Sequence, residues 1–157
     1  MHTRRKILGG SATAITMAIA GCSSGSSSSG DGGGDSGSTV ETIVDDTDTI
    51  EEDQYLSYSF ELNRSADVDI RATVRDGPRV DIFVTSPEEF SHFEEGERFR
   101  YNSELSQMDT AGYDASLEDM PEGEYVLVVD NTEMGEAAPP TNFDDDNARV
   151  EVELTAR

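Results

Sequence analysis

Carboxylates are the most numerous side chains in this sequence that could bind a metal ion or take part in catalysis, and some of them are clustered. Asp and Glu together number 34, against 11 Lys and Arg, and the runs DDTD (45–48) and NFDDDN (142–147) concentrate them. Calcium takes about six to eight oxygen ligands, largely from carboxylates and carbonyls in loops. The second run precedes the last expected strand. It therefore predicts a weak Ca²⁺ or Mg²⁺ site on Asp144, Asp145 and Asp146, with a solvated acidic surface as the simpler alternative.

Residues for other kinds of catalysis are scarce. Without its first 21 residues, the chain keeps His92 as its single histidine and has no lysine. This composition excludes Schiff-base lysines and zinc sites built from several His or Cys ligands of one chain. No Gly-x-Ser-x-Gly nucleophile elbow occurs. Two carboxylates could hydrolyse a glycosidic bond, but with 34 acidic residues the sequence does not indicate which two would do so. We therefore expect that this protein is not an enzyme. A small glycan-active hydrolase is the third hypothesis, after the two functions given at the end of this subsection.

The single cysteine, Cys22, closes an apolar run that follows a basic start. The run, residues 7–20, is shorter than the roughly 20 residues that span a bilayer, so residues 1–21 are interpreted as a signal peptide. TRRKIL, with Arg4 and Arg5, resembles the twin-arginine export signal. IAGC resembles the lipobox of lipoproteins. The resemblance implies cleavage before Cys22 and a lipid on its thiol, which anchors the protein to the outer face of the cytoplasmic membrane at the cell surface.

Serine and glycine dominate the stretch after the cysteine. Residues 22–39 are therefore interpreted as the lipidated cysteine and a flexible tether with a reach of roughly 20–25 Å. One cysteine allows no intramolecular disulfide. The globular part is expected at 40–157, as one domain.

The formal net charge of the chain is −23. A phosphate polymer needs cationic partners, so a nucleic-acid partner is not expected. The many carboxylates and single lysine resemble the surfaces of haloarchaeal lipoproteins. In near-molar salt the Debye length falls to about 3 Å, so that dense like charge repels little.

Apolar residues alternate with polar ones in most runs after Val40, which predicts strands. The runs are YLSYSFEL (55–62), ADVDIRATV (66–74), RVDIFV (79–84), RFRYN (98–102), GYDASLE (112–118), EYVLVV (124–129) and RVEVELT (149–155). EYVLVV is apolar on both faces and is expected at the centre of a sheet. Turn signals separate the runs, so we expect an all-β, antiparallel, jelly-roll-like sandwich of about 7–9 strands. A helical turn at 86–96 is expected to place Phe90 and Phe93 over an open end of the sandwich.

Three of these runs carry a further resemblance. DVDIRATV, VDIFVTSPEEF and EGEYVLVVDN, with Gly123 and Tyr125 in a Gly-x-Tyr turn, resemble the order found in pre-peptidase C-terminal domains and GOLD domains. Both families are jelly rolls that serve mostly as auxiliary or binding modules, and the resemblance implies such a role here.

The residues together predict a non-enzymatic, lipid-anchored surface module with a binding or structural role at the envelope. Its partners are expected to be the membrane, through Cys22, and an envelope protein or glycan. The alternative is an accessory subunit of an envelope transporter or of a secreted-enzyme system. Asn63, in the pattern Asn-Arg-Ser, is a candidate glycosylation site in a turn.

Overall fold

The computed structural model describes residues 40–136 and 146–157. These residues form eight strands and one short helix. The elements are β1 (Glu41–Ile50), β2 (Tyr55–Leu62), β3 (Ala66–Asp76), β4 (Val80–Thr85), α1 (Pro87–Glu95), β5 (Asn102–Thr110), β6 (Gly112–Met120), β7 (Gly123–Asp130) and β8 (Ala148–Ala156). The expected all-β fold is confirmed, as is the expected number of strands.

The strands form two four-stranded antiparallel sheets. The first sheet has the order β1-β8-β3-β6 and the second has the order β2-β7-β4-β5. Every consecutive pair of strands changes sheet except β4 and β5, which are neighbours in the second sheet. This order is that of an eight-stranded jelly roll with two Greek keys. The jelly-roll expectation is therefore confirmed.

A continuous apolar core lies between the sheets. Alternate residues of each strand point into it, as period-two patterning requires. Its buried residues include Leu56, Phe60, Val68, Ile70, Ile82, Leu105, Tyr113, Leu127, Val129, Val150, Val152 and Leu154. The apolar residues that alternate with polar ones in the runs YLSYSFEL, ADVDIRATV and RVEVELT thus point into the core. The expectation for EYVLVV is also confirmed, because β7 lies inside the second sheet and is buried on both faces.

Two expected features of the second sheet are wrong. RFRYN is not a strand, since residues 97–101 are irregular and β5 begins at Asn102. The apolar side chains of that stretch face the outside of the sheet rather than the inter-sheet core. RVDIFV does not alternate between core and water either. Asp81, Phe83 and Thr85 on its second face are buried as well, because other parts of the chain cover that face.

The outer face of the first sheet is charged and solvated. Arg71 lies 3.2 Å from the Asp114 carboxylate, Arg75 lies 2.6 Å from Glu151, and the Arg157 guanidinium lies 2.8 Å from Asp69. Exposed ion pairs of this kind contribute about 0–1 kcal/mol each, and less in high salt. These ion pairs therefore belong to a solvent-exposed surface and contribute little to stability.

Candidate functional site

The helix α1 fixes the chain on the outer face of the second sheet. Ser86 caps its N-terminus by accepting a hydrogen bond at 3.3 Å from the Glu89 N–H, and Pro87 begins the first turn. The helix ends at Gly96, whose φ of 78° is in the left-handed region that favours glycine. The Gly96 N–H donates to the Phe93 carbonyl at 3.1 Å. Both ends of the helix are thus defined by local sequence.

An aromatic cluster joins this helix to the sheet. Phe93 packs against Tyr55 and Phe83, with ring centroids 5.1 and 5.2 Å apart. Phe90 packs against Tyr55 at 5.9 Å. Val126 and Val128 of β7 complete this second core. The expectation that Phe90 and Phe93 cap an open end is therefore wrong, because they cover the apolar side chains that Tyr55, Phe83, Val126 and Val128 place on the outer face of the second sheet.

Beyond the helix, the same outer face carries an open groove of about 460 Å³. We call it the aromatic groove. Its apolar lining residues are Phe83, Phe99, Tyr101, Met108 and Met134, and Glu97, Arg98 and Glu136 contribute to its rim. Phe99 lies 4.9 Å from Phe83 between ring centroids, and Tyr101 lies 6.2 Å from Phe83. Tyr101 is 43 % exposed, which is unusual for an aromatic ring in the described part of the chain.

Two buried carboxylates, Asp81 and Asp130, underlie this groove. They face each other across β4 and β7 and are 0 % and 1 % exposed. Asp81 accepts a hydrogen bond from the Asp109 N–H at 2.6 Å, which fixes the end of β5. Asp130 accepts hydrogen bonds from the N–H and the hydroxyl of Thr132, both at 3.0 Å. Each carboxylate therefore holds a loop that borders the groove.

These loops position the groove lining. The Thr132 hydroxyl accepts a hydrogen bond from the Met134 N–H at 3.1 Å, so Asp130 sets the place of Met134 through Thr132. Gly135 passes so close to Asp81 that an added Cβ would overlap its carboxylate. Asp81 and Asp130 also line the groove, and both are buried and held by hydrogen bonds to Asp109 and Thr132, which gives them a structural role there.

Two of the candidate site residues singled out from the sequence, Asn63 and Asp146, are among the described residues. Arg4, Arg5, Cys22, Asp144 and Asp145 lie outside the described residues. Asn63 is exposed in the connection between β2 and β3, a position that a glycan could reach. Asp146 is described and lies just before β8. The structure brings none of the described candidates to the aromatic groove.

His92 lies near the end of α1, beside the groove. Its Nδ1 is 3.2 Å from the Glu97 carboxylate. Ligand atoms of His92, Glu95 and Glu97 lie within 4.8 Å of one another, and both glutamates are exposed. The hydrogen bond between the His92 ring and the Glu97 carboxylate is sufficient to explain their approach.

The groove residues were missed from the sequence. One available signal was Asp81, an acid inside the apolar run VDIFVT. A buried carboxylate requires hydrogen-bond partners, so this residue indicated a specific polar contact. Tyr101, Met108 and Met134 gave no such signal, because they come from separate segments that only the fold brings together.

Comparison with known proteins assigns no family to this chain. The scan against protein-family models and the search of curated proteins give no match. Among solved structures, the chain is similar to PliG from Aeromonas hydrophila, a periplasmic inhibitor of g-type lysozyme. That match has 9 % identity and a TM-score of 0.40, and it covers 77 % of this chain and 89 % of that chain. At this identity and score, the likeness does not extend to function. Within the described residues, no helix is long and apolar enough to cross a membrane.

Proposed function

We propose that this chain is a non-enzymatic, lipid-anchored module of the cell surface that binds another envelope protein through its aromatic groove. The observation that carries this proposal is Tyr101, a 43 % exposed ring beside Phe83 and Phe99 on an otherwise charged molecule. Exposed apolar patches rimmed by polar residues are typical of interaction sites. Tyr is also among the residues that dominate binding energy at protein interfaces.

The lining favours an apolar protein segment over a glycan. Met108 and Met134 are flexible, polarisable side chains that adapt to irregular apolar shapes. The volume of about 460 Å³ lies within the range of roughly 300–1,000 Å³ of ligand pockets and suits one or two large side chains. Glu97 and Glu136 outnumber Arg98 at the rim, which favours a segment with flanking basic residues.

The alternative function, an accessory subunit, rests on the same groove. In that case the bound segment belongs to an envelope transporter or to a secreted enzyme, and the module acts only within the complex. An apolar patch confined to one sheet face is what such a subunit requires. The glycan-active hydrolase is less favoured, because the two acids at the groove are buried and hold loops.

Anchoring follows from the N-terminal sequence. A lipid on Cys22, with the tether at 22–39, would hold the domain at the outer face of the cytoplasmic membrane. The tether's reach of roughly 20–25 Å would lift the domain clear of the lipid head groups. The groove would then be accessible to neighbouring envelope proteins.

Co-isolation of the full-length protein from detergent-solubilised envelopes in near-molar salt tests the binding function. We expect Tyr101→Ser and Met134→Ser to lose the proteins that the wild type retains. Thr47→Ala, an exposed change on β1 in the first sheet, should retain them. Equal recovery of the same proteins by all three variants would refute the groove as the binding surface.

A further inference from the structure

Three buried side-chain oxygens belong to residues that hydrogen bonds join at one end of the sandwich. They are Gln54 Oε1, Asn131 Oδ1 and Asp146 Oδ2, and none has a hydrogen-bond partner within residues 40–136 and 146–157. Asn131 is fully buried and Gln54 is 8 % exposed. A buried polar atom without a partner is destabilising, so three on adjoining residues call for a physical explanation.

Backbone contacts bring these residues together. The Asn131 N–H donates to the Gln54 carbonyl at 3.0 Å, which extends the pairing of Tyr55 with Asp130 by one residue. Since Tyr55 and Asp130 lie on the outer face of the second sheet, Gln54 and Asn131 lie on its inner face. Facing side chains in such a pair have Cβ atoms about 4.5–5.5 Å apart.

Three hydrogen bonds fix the orientation of the Asn131 side-chain amide. Its Nδ2 lies 3.3 Å from the Ile50 carbonyl, 3.2 Å from that of Glu51 and 3.0 Å from that of Asp146. Only a donor fits among three carbonyl oxygens, so Oδ1 must be the atom that points away from them. The same contact brings the backbone of Asp146 next to Asn131.

We propose that Gln54, Asn131 and Asp146 form a calcium site. All three atoms are oxygens, and one belongs to a carboxylate, which matches the ligands that calcium takes from Asp, Asn and Gln side chains. Calcium tolerates irregular geometry and completes its shell with water. Magnesium demands a near-ideal octahedron and gives up water reluctantly. A single carboxylate makes the site weak, in the range of about 10⁻⁴–10⁻³ M found in extracellular modules.

This site is independent of the proposed binding function. It lies on the inner face of the second sheet, whereas the aromatic groove lies on the outer face. A bound calcium would join the β1–β2 turn, the end of β7 and the start of β8. Its task would be to hold that end of the sandwich together.

Calorimetric titration and thermal melting of the full-length protein test the proposal, with sodium chloride held near molar to saturate general screening. We expect one calcium per chain and a rise in Tm of about 3–8 °C at roughly tenfold excess over Kd. Magnesium should give no comparable rise. The absence of stoichiometric calcium binding would overturn the proposal and leave an ordered water as the partner of the three oxygens. An equal rise with magnesium would overturn the assignment of the site to calcium.

Variants locate the effect. Asp146→Asn should abolish the calcium response while raising the Tm of the calcium-free protein, because its new amide can donate where the carboxylate could not. Gln54→Met keeps the size of the side chain, removes one ligand oxygen and should weaken calcium binding at least severalfold. Asp45→Asn, an equal charge change at an exposed position of β1, should leave the response unchanged. A calcium response retained in both site variants, or one removed by Asp145→Asn but not by Asp146→Asn, would overturn the proposal.

Discussion

Truncating Phe93 tests whether the helix is held to the sheet by its aromatic contacts. Phe93 is 1 % exposed. It packs against the rings of Tyr55, Phe83, Phe90 and Phe99 at centroid distances of 5.1, 5.2, 6.0 and 5.3 Å. Phe93→Ala would remove the centre of this second core and the support beneath Phe99. The inter-sheet core, which lies on the opposite face of the sheet, would remain intact.

The cost of Phe93→Ala follows from this burial. Phe→Ala changes in cores cost about 3–5 kcal/mol, and the nearly complete burial of Phe93 predicts a loss of about 4 kcal/mol. A domain with a stability of about 5–15 kcal/mol would remain folded. With a urea m-value of about 2 kcal/mol/M, the unfolding midpoint should fall by about 2 M. Urea is uncharged, so the measurement by circular dichroism can hold sodium chloride constant near molar.

Phe90→Ala on the same helix is the matched control. Phe90 is 9 % exposed and lies at the edge of the cluster, 5.9 Å from Tyr55 and 6.0 Å from Phe93. Its truncation leaves less of a cavity and should cost clearly less than that of Phe93. If Phe93→Ala cost less than about 1 kcal/mol, or if the two variants were equally destabilised, the account of the second core would be refuted.

Three further predictions concern the anchor, the salt dependence and the inter-sheet core. Cys22→Ser should move the protein from the membrane fraction into the medium or the precursor pool; a correctly cleaved variant that still partitions with membranes would contradict lipid anchoring. Circular dichroism should show β-structure lost between about 1 M and about 0.01 M salt, as the Debye length grows to about 30 Å; an unchanged melt would contradict the role of charge. Burial, with a smaller contribution from Asp114, raises the pKa of Tyr113 to about 12, and its hydroxyl has no hydrogen-bond partner within the described residues. Tyr113→Phe should therefore raise the urea midpoint near neutral pH. Tyr58→Phe should not raise it, because this change removes a hydroxyl that donates to Asp46. A lower midpoint for Tyr113→Phe would contradict this prediction.

Most strands with one buried face could be predicted from sequence, whereas β1 and β5 could not. In β1 the stretch ETIVDDTDTI has too few apolar residues to give an alternating pattern. In β3 and β8 apolar and polar residues alternate strictly, because one face meets the core and the other meets water. In β5 the pairing with β4 shifts register between Val80 and Ile82 and again between Ile82 and Val84. These irregularities break the period of two, so the stretch NSELSQMDT gives no strand pattern. The apolar residues of RFRYN gave one instead, although they pack outside the sheet.

The second core and the aromatic groove depend on which segment covers which face. Both faces of β4 are buried, but its second face carries Asp81 and Thr85 beside Phe83, so the run VDIFVT does not show that α1 covers that face. Tyr101 and Met134 are distant in sequence and meet only because β4 and β7 pair. The residues of the proposed calcium site were predictable in part. Asp146 belongs to an acidic run, whereas Gln54 and Asn131 become ligands through one backbone pairing.

Photo-crosslinking on intact cells tests the binding function most directly. A benzophenone side chain at position 101 places the probe in the aromatic groove, and the same probe at Thr47 places it on the exposed strand β1 of the first sheet. We predict that the probe at 101 gives a discrete crosslinked protein adduct that Met134→Ser diminishes, and that the probe at 47 gives none. Adducts of the same protein at both positions, or none at 101 in a surface-exposed and folded protein, would contradict the account.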